Sequence, residues 1–224
     1  MRSWVLVFVM GVCVVWMSTV SYALPYIADL LPFDENGDFV TIEGLDVSMV
    51  VSQLNGCVRF DIFNNSTISS AVEGVYFDNG SLLGIEYLID SDDQGSGGEF
   101  GHPDVDFSLG AAPPDLPGGQ NLVPPFETSN GCRYFSADSD PPTSPLAIQP
   151  GEWLGIEFEL MSGQTFDNVI LELLSGEDLR IGVHIISLPG DLSISAVNDI
   201  PVPIPEPATL LLLSFGLLVL RKRV

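Results

Sequence analysis

An acidic loop carries the best candidate for site chemistry in the sequence. Asp90, Asp92 and Asp93 occupy the first, third and fourth positions of this loop, and Gly95 occupies the sixth. Oxygen ligands at alternate positions before such a glycine are typical of calcium-binding loops. The twelfth position, where a bidentate glutamate is needed, is Gly101. The loop is therefore a weak calcium candidate, and the competing interpretation is a solvated turn rich in aspartate.

Two glutamates have the spacing of a glycoside hydrolase acid–base pair. Glu157 and Glu159 fall on one face of a predicted strand, which puts them about 7 Å apart, close to the carboxylate separations of such enzymes. Any exposed strand with two outward glutamates gives the same spacing. The sequence has no G-x-S-x-G around Ser96, no H-E-x-x-H and no P-loop. We therefore expect no enzymatic activity, and no cofactor unless calcium binds.

Sugar binding is a more serious alternative, because exposed aromatic rings can line a binding surface. Trp153 is the only tryptophan between residues 24 and 204, and it begins a predicted strand. Tyr76, Tyr87 and Tyr134 are further candidates. The competing interpretation is that Trp153 fills the edge of the core.

Alternating apolar and polar residues predict the strands that must position these groups. Residues 154–160 alternate with a period of two, and residues 58–62 and 179–185 do the same. In the third of these segments Arg180, Gly182 and His184 fall on the face opposite the apolar residues. The pattern predicts an all-β fold, an antiparallel β-sandwich of jelly-roll or Ig-like type.

Two Asn-Gly pairs, Asn55-Gly56 and Asn79-Gly80, stand between apolar runs. Such pairs are strong hairpin signals. The first predicts that strand 46–53 pairs with strand 57–63, and the second that strand 71–78 pairs with strand 81–89.

One segment breaks the strand pattern. Thr165 suits an N-cap and Gly176 a C-cap, and apolar residues between them share one helical face. We predict a short helix over 166–174 that lies across an end or a face of the sandwich. A strand is the competing interpretation, because β-branched and apolar residues crowd this segment.

Residues 90–150 are rich in Gly, Pro, Ser and Asp, which break regular structure. A loop zone of this length is either functional or disordered. We expect short strands near 104–109 and 131–137 to interrupt it.

The amino end predicts a secretory signal. Residues 1–23 contain one charge, Arg2, then an apolar core, then the small residues Ser21 and Ala23 at the third and first places before a cut. We expect a signal helix over 1–23 that signal peptidase cleaves after Ala23. An uncleaved amino-terminal anchor is the competing interpretation.

The carboxyl end combines a proline-rich spacer (198–207), an apolar segment (208–220) and a basic tail (221–224). The apolar segment makes about 20 Å of helix, shorter than the roughly 30 Å of a bilayer core, so it is a weak membrane helix. Arg221, Lys222 and Arg223 belong on the cytoplasmic side. The preceding domain, residues 24–197, then faces the periplasm.

The tripeptide Pro205-Glu206-Pro207, followed by this apolar segment and basic triplet, resembles the PEP-CTERM sorting signal of bacterial exported proteins. The resemblance implies cutting by an exosortase-type membrane protease. It implies a transient anchor in the inner membrane and a final location at the cell surface or outside the cell. It also associates the chain with exopolysaccharide and biofilm. An ordinary single-pass tail anchor is the competing interpretation.

Charge narrows the possible partners of the domain. Between residues 24 and 204 there are three arginines, no lysine and 29 acidic residues, a net charge of −26. Such a surface repels phosphate backbones, which excludes nucleic acid as a direct partner. It is typical of the solvated exterior of a secreted protein.

Cys57 and Cys132 are the two cysteines outside the predicted signal peptide. Two cysteines in an exported domain usually pair, and a bridge across about 75 residues stabilises a fold by roughly 4 kcal/mol in the chain-entropy model. We predict a structural disulfide.

The whole sequence indicates an exported protein of the cell surface or extracellular matrix with a structural or interaction role. The alternatives are a carbohydrate-binding module and, less favoured, a secreted glycoside hydrolase.

Overall fold

The computed structural model describes residues 24–54, 57–78, 83–89 (backbone only), 104–129, 135–176 and 179–198. In these residues the chain forms ten strands, two α-helices and a 3-10 turn at Gly119–Asn121. The strands are β1 Tyr26–Phe33, β2 Val47–Leu54, β3 Cys57–Asn64, β4 Ala71–Asp78, β5 Leu83–Ile89, β6 Phe107–Leu109, β7 Ser136–Ser139, β8 Trp153–Leu160, β9 Arg180–Leu188 and β10 Leu192–Asn198. The helices are α1 Thr143–Leu146 and α2 Phe166–Ser175.

The ten strands form one antiparallel sheet in the order β5-β8-β3-β2-β1-β10-β9-β4-β7-β6. Strand β1 changes partner along its length: residues 26–29 pair with β2, and residues 30–33 pair with β10. The sheet therefore has two halves that meet at β1. We call the half with β5, β8, β3 and β2 the β3 half, and the half with β10, β9, β4, β7 and β6 the β9 half.

The sheet is curled so that its two halves share one core. Phe60 in β3 and Phe158 in β8 both meet Phe77 in β4, edge to face, with ring centroids 5.3 Å and 4.6 Å away. Strands β3 and β4 are separated in the sheet by four other strands, so these contacts require strong curvature. The predicted all-β, antiparallel class is confirmed; the described strands form one curled sheet rather than two separate sheets.

One of the two predicted hairpins is confirmed and the other is wrong. Strands β2 and β3 pair with Leu54 opposite Cys57, which leaves a two-residue connection at Asn55-Gly56. Strands β4 and β5 do not pair with each other: β4 lies between β9 and β7, and β5 pairs with β8. The second Asn-Gly pair therefore joins strands in different halves of the sheet.

The predicted helix is confirmed as α2. The Thr165 hydroxyl and the Asn168 side chain form a reciprocal capping box, and Gly176 ends the helix in the left-handed conformation, at φ 65°. Phe166, Val169 and Leu173 are buried in the main core. The helix connects β8 to β9, and it therefore closes the core at one end of the curled sheet.

The chain enters and leaves the sheet at that same end. Strand β1 begins there at Tyr26, and its antiparallel neighbour β10 runs toward it and ends at Asn198, opposite Leu30. Strands β2 and β8 also end there, and β9 begins there. We call this the terminal end of the domain.

We expect Leu173→Ala to destabilise the domain by about 2–5 kcal/mol, because it leaves a cavity where α2 closes the core. Leu171→Ala is the matched control on the same helix, because Leu171 is 61% exposed whereas Leu173 is fully buried, and it should change stability by less than about 0.5 kcal/mol. Urea unfolding of the domain measures both. Equal losses from the two variants would contradict the position of α2.

Candidate functional site

Trp153 lies on the outer face of the β3 half. It is half-buried, and the next residue of β8, Leu154, points into the core. Its ring is paired across the strands with Phe63, with centroids 6.4 Å apart, and the Arg59 guanidinium lies 5.4 Å from the ring centroid. The tryptophan is therefore part of an aromatic and cationic cluster on the sheet surface, outside the core.

Arg59 also holds two carboxylates beside this tryptophan. Its Nε donates to Asp61 Oδ1 at 2.7 Å, and its Nη1 lies 4.0 Å from Glu157 Oε1. Both carboxylate side chains are largely buried, whereas Glu159 further along β8 is exposed. The two glutamates of the predicted acid–base pair thus differ in surroundings.

The outer face of the β9 half is covered by a strap, residues 110–128. The strap and the sheet share a second apolar cluster: Phe33, Tyr76, Ala111, Leu116, Leu122, Phe126 and Val197. Leu116 lies directly over Gly182, where an added Cβ would stand 2.5 Å from Leu116 Cδ2. Arg180 and Gly182, on the face opposite the core, are buried for this reason. This part of the predicted loop zone is therefore packed against the sheet.

Arg180 fastens the carboxyl end of the strap. The side chain is only 4% exposed; its Nη1 donates to the Pro124 carbonyl at 2.7 Å, and its Nη2 donates to the Pro125 carbonyl. The guanidinium also forms an ion pair with Asp78 of β4 and lies 5.2 Å from the Phe126 ring. The buried guanidinium is stable there because a carboxylate, two carbonyl oxygens and an aromatic ring all contact it.

The amino end of the strap is held by side chains of β4 and β7. Ser136 and Asp138 accept hydrogen bonds from the backbone of residues 111 and 112, and the Tyr76 hydroxyl donates to the Pro113 carbonyl. Tyr76 is 2% exposed, so it cannot be the sugar-binding platform predicted as a possibility. Burial, with Asp138 as the next cause, raises the pKa of Tyr76.

A polar row crosses β10, β9 and β4 on this same face. His184 Nδ1 lies 3.2 Å from Ser195 Oγ, and His184 Nε2 lies 3.4 Å from Glu73 Oε1. Burial lowers the pKa of His184, and burial together with Asp138 raises the pKa of Glu73. These residue types are those of a nucleophile, a base and an acid. Ser195 is only 4% exposed, however, so the row lacks the access that a nucleophile needs.

Most sequence-predicted sites lie outside the described residues. These are the calcium candidates Asp90, Asp92 and Asp93, the cleavage residues Ser21 and Ala23, the cysteine Cys132, and the sorting residues Pro205, Glu206, Pro207, Arg221, Lys222 and Arg223. The side chains of Tyr87 and Tyr134 lie outside them as well. Cys57 begins β3, opposite Leu54 and Glu159. The disulfide and the calcium site therefore stay predictions.

In the described part of the chain, no group of three or more His, Cys, Asp or Glu side chains is arranged to hold a metal ion. Across those same residues, no helix has both the length and the apolar character needed to cross a membrane.

The comparison with known families bears on the carboxyl end. A family model described as the PEP-CTERM protein-sorting motif matches residues 203–223. The chain carries this motif, which marks an exported protein that passes through the membrane and is sorted by an exosortase. No curated protein and no solved structure matches the chain. The matched residues begin five positions after β10 ends at Asn198.

We expect Arg180→Met to destabilise the domain by about 3–5 kcal/mol, because it leaves Asp78 and two strap carbonyls without their buried cation. The strap should become the first site of proteolytic cutting. Val123→Ala is the matched control, because Val123 is a strap residue with 95% exposure. Limited proteolysis with mass analysis of the fragments measures the effect. A strap that resists cutting equally in both variants would refute the proposed role of Arg180 in holding it.

Proposed function

We propose that this chain is the precursor of a non-enzymatic protein of the cell surface or extracellular matrix. The main support for this proposal is the sorting motif, because such a motif functions only in a protein that leaves the cytoplasm. The signal peptide over 1–23 directs export, the apolar segment over 208–220 holds the precursor in the inner membrane, and an exosortase-type protease cuts near Pro205-Glu206-Pro207. The acidic domain then proceeds outward, with exopolysaccharide as its expected surroundings.

The position of the motif supports this order of events. The last strand ends at Asn198, and six residues, 199–204, separate it from Pro205. Six residues span at most about 20 Å when extended. The domain can therefore be fully folded while the motif remains at the membrane surface, where a membrane protease can reach it.

A structural or interaction role is supported by how the reactive side chains are used. Arg59, Asp61 and Glu157 are engaged with one another around Trp153. His184 joins three strands through Ser195 and Glu73. Glu157 lies 4.0 Å from the Arg59 guanidinium and is largely buried, which suits a surface network of ion pairs. For these reasons we propose no catalytic role for either group.

Carbohydrate binding is the second candidate, and the position of Trp153 favours it. The ring lies on the outer sheet face next to Gly155, which carries no side chain, and is followed on that face by Glu157. An aromatic ring with adjacent carboxylates can stack on a sugar and accept hydrogen bonds from its hydroxyl groups.

For the sorting proposal, we expect the triple substitution of Pro205, Glu206 and Pro207 by alanine to keep full-length protein in the inner membrane of the native host, because the protease loses its recognition site. Pro201→Ala, just before the matched residues, is the control and should be released normally. Immunoblots of membrane and extracellular fractions measure both. Unchanged release of the triple variant would contradict the proposed sorting.

For the second candidate, we expect the domain to be retarded in an affinity gel that contains an acidic or neutral exopolysaccharide, and Trp153→Ala to abolish the retardation. Leu171→Ala, an exposed apolar residue on α2, is the control and should leave the retardation unchanged. Equal migration with and without each polysaccharide would remove this candidate.

A further inference from the structure

The exposed apolar side chains of the domain are concentrated at its terminal end. Of the nine large exposed apolar side chains among the residues that the structure describes, six lie there: Leu24, Leu54, Val123, Met161, Leu171 and Leu174. Leu24 precedes β1, Leu54 ends β2 and Met161 follows β8. Val123 lies beside Pro124, whose carbonyl Arg180 binds at the start of β9. Phe39 and Leu192 lie at the opposite end, where β1 ends and β10 begins.

Helix α2 has a second set of apolar side chains that point away from the core. Leu173 is fully buried, whereas Leu171 and Leu174 are 61% and 45% exposed. Residues three apart lie on the same side of a helix, so Leu171 and Leu174 form one outward patch. Met161, which is 50% exposed, follows β8 at the same end of the sheet. Contiguous exposed leucines are costly in water and mark contact surfaces.

The connection to the membrane segment limits where this end can be. Nine residues, 199–207, separate Asn198 from the apolar segment that begins at Ala208, and they span at most about 30 Å. On the proposed function, the apolar segment lies in the bilayer until the protease cuts. The terminal end must then stay within that distance of the lipid surface, with Leu24 on the same side.

We propose that the terminal end is a lipid-contact surface of the tethered precursor, with Leu171 and Leu174 of α2 at its centre. This inference rests on the proposed function. Asp167 and Glu172 on the same helix exclude attraction to anionic head groups, so the contact is apolar and shallow. Contact with the bilayer orients the domain so that the carboxyl end of β10 faces the membrane. It also keeps the spacer and its sorting motif within reach of a membrane protease. Cutting in the motif removes the tether and leaves only this contact.

Photo-crosslinking in membranes tests the proposal. The full chain is expressed in a bacterial host that has no exosortase, with a diazirine-bearing leucine analogue in place of Leu171, Leu174 or Leu192, one position at a time. Leu192 is the matched control, because it is 63% exposed at the opposite end. After illumination of isolated inner membranes, we expect phospholipid adducts to be several-fold more frequent at positions 171 and 174 than at 192.

Equal lipid labelling at the three positions would overturn the inference, as would adducts from 171 or 174 to a second copy of the chain or to its own residues 208–220. An alkaline carbonate wash of the same membranes separates this failure from failure of the proposed function. Chain that resists the wash yet gives no lipid adducts refutes only the lipid contact. Chain that the wash removes refutes the membrane tether as well.

Discussion

The split pairing of β1 is the constraint on which the rest of the structure depends. Its first four residues belong to one half of the sheet and its last four to the other, so the two halves can curl together over a shared core. Because β10 is the partner of its second half, the first and last strands of the domain are neighbours. This places both ends of the described domain, Leu24 and Asn198, on one side of the sheet.

The few arginines of the domain stabilise the outer faces of both halves of the sheet. Residues 24–204 contain three arginines against 29 acidic residues. Two of those arginines organise the outer faces of the two halves: Arg59 gathers Trp153 and two carboxylates, and Arg180 fastens the strap. Each arginine is largely buried among acceptors.

Local signals in the sequence predicted local structure well. The two-residue connection between β2 and β3, the alternation of β8 and the caps of α2 each depend on neighbouring residues, and all three are confirmed. The pairing of β4 with β5 was predicted wrongly, because an Asn-Gly pair reports a chain reversal but not which strand fills the neighbouring position. Both edges of β4 are occupied by β7 and β9.

The strap and the proposed lipid-contact surface could not be predicted in the same way. Residues 110–128 have no hydrophobic period, and the burial of Leu116 and Phe126 follows from contacts with β9 that are distant in sequence. The sequence carried one signal of the strap: Arg180 is the single arginine or lysine in the alternating segment 179–185. The sorting motif, in contrast, is a contiguous chemical pattern, and the family match confirms its position at residues 203–223.

We propose that an acidic domain is delivered outside the cell and trimmed at both ends. The intact mass of the protein purified from the surface and extracellular fractions of its native cells tests this most directly. We predict a mass that corresponds to a chain starting at Leu24 and ending near Pro205. A full-length chain of 224 residues recovered from the cytosol, with neither end removed, would contradict it.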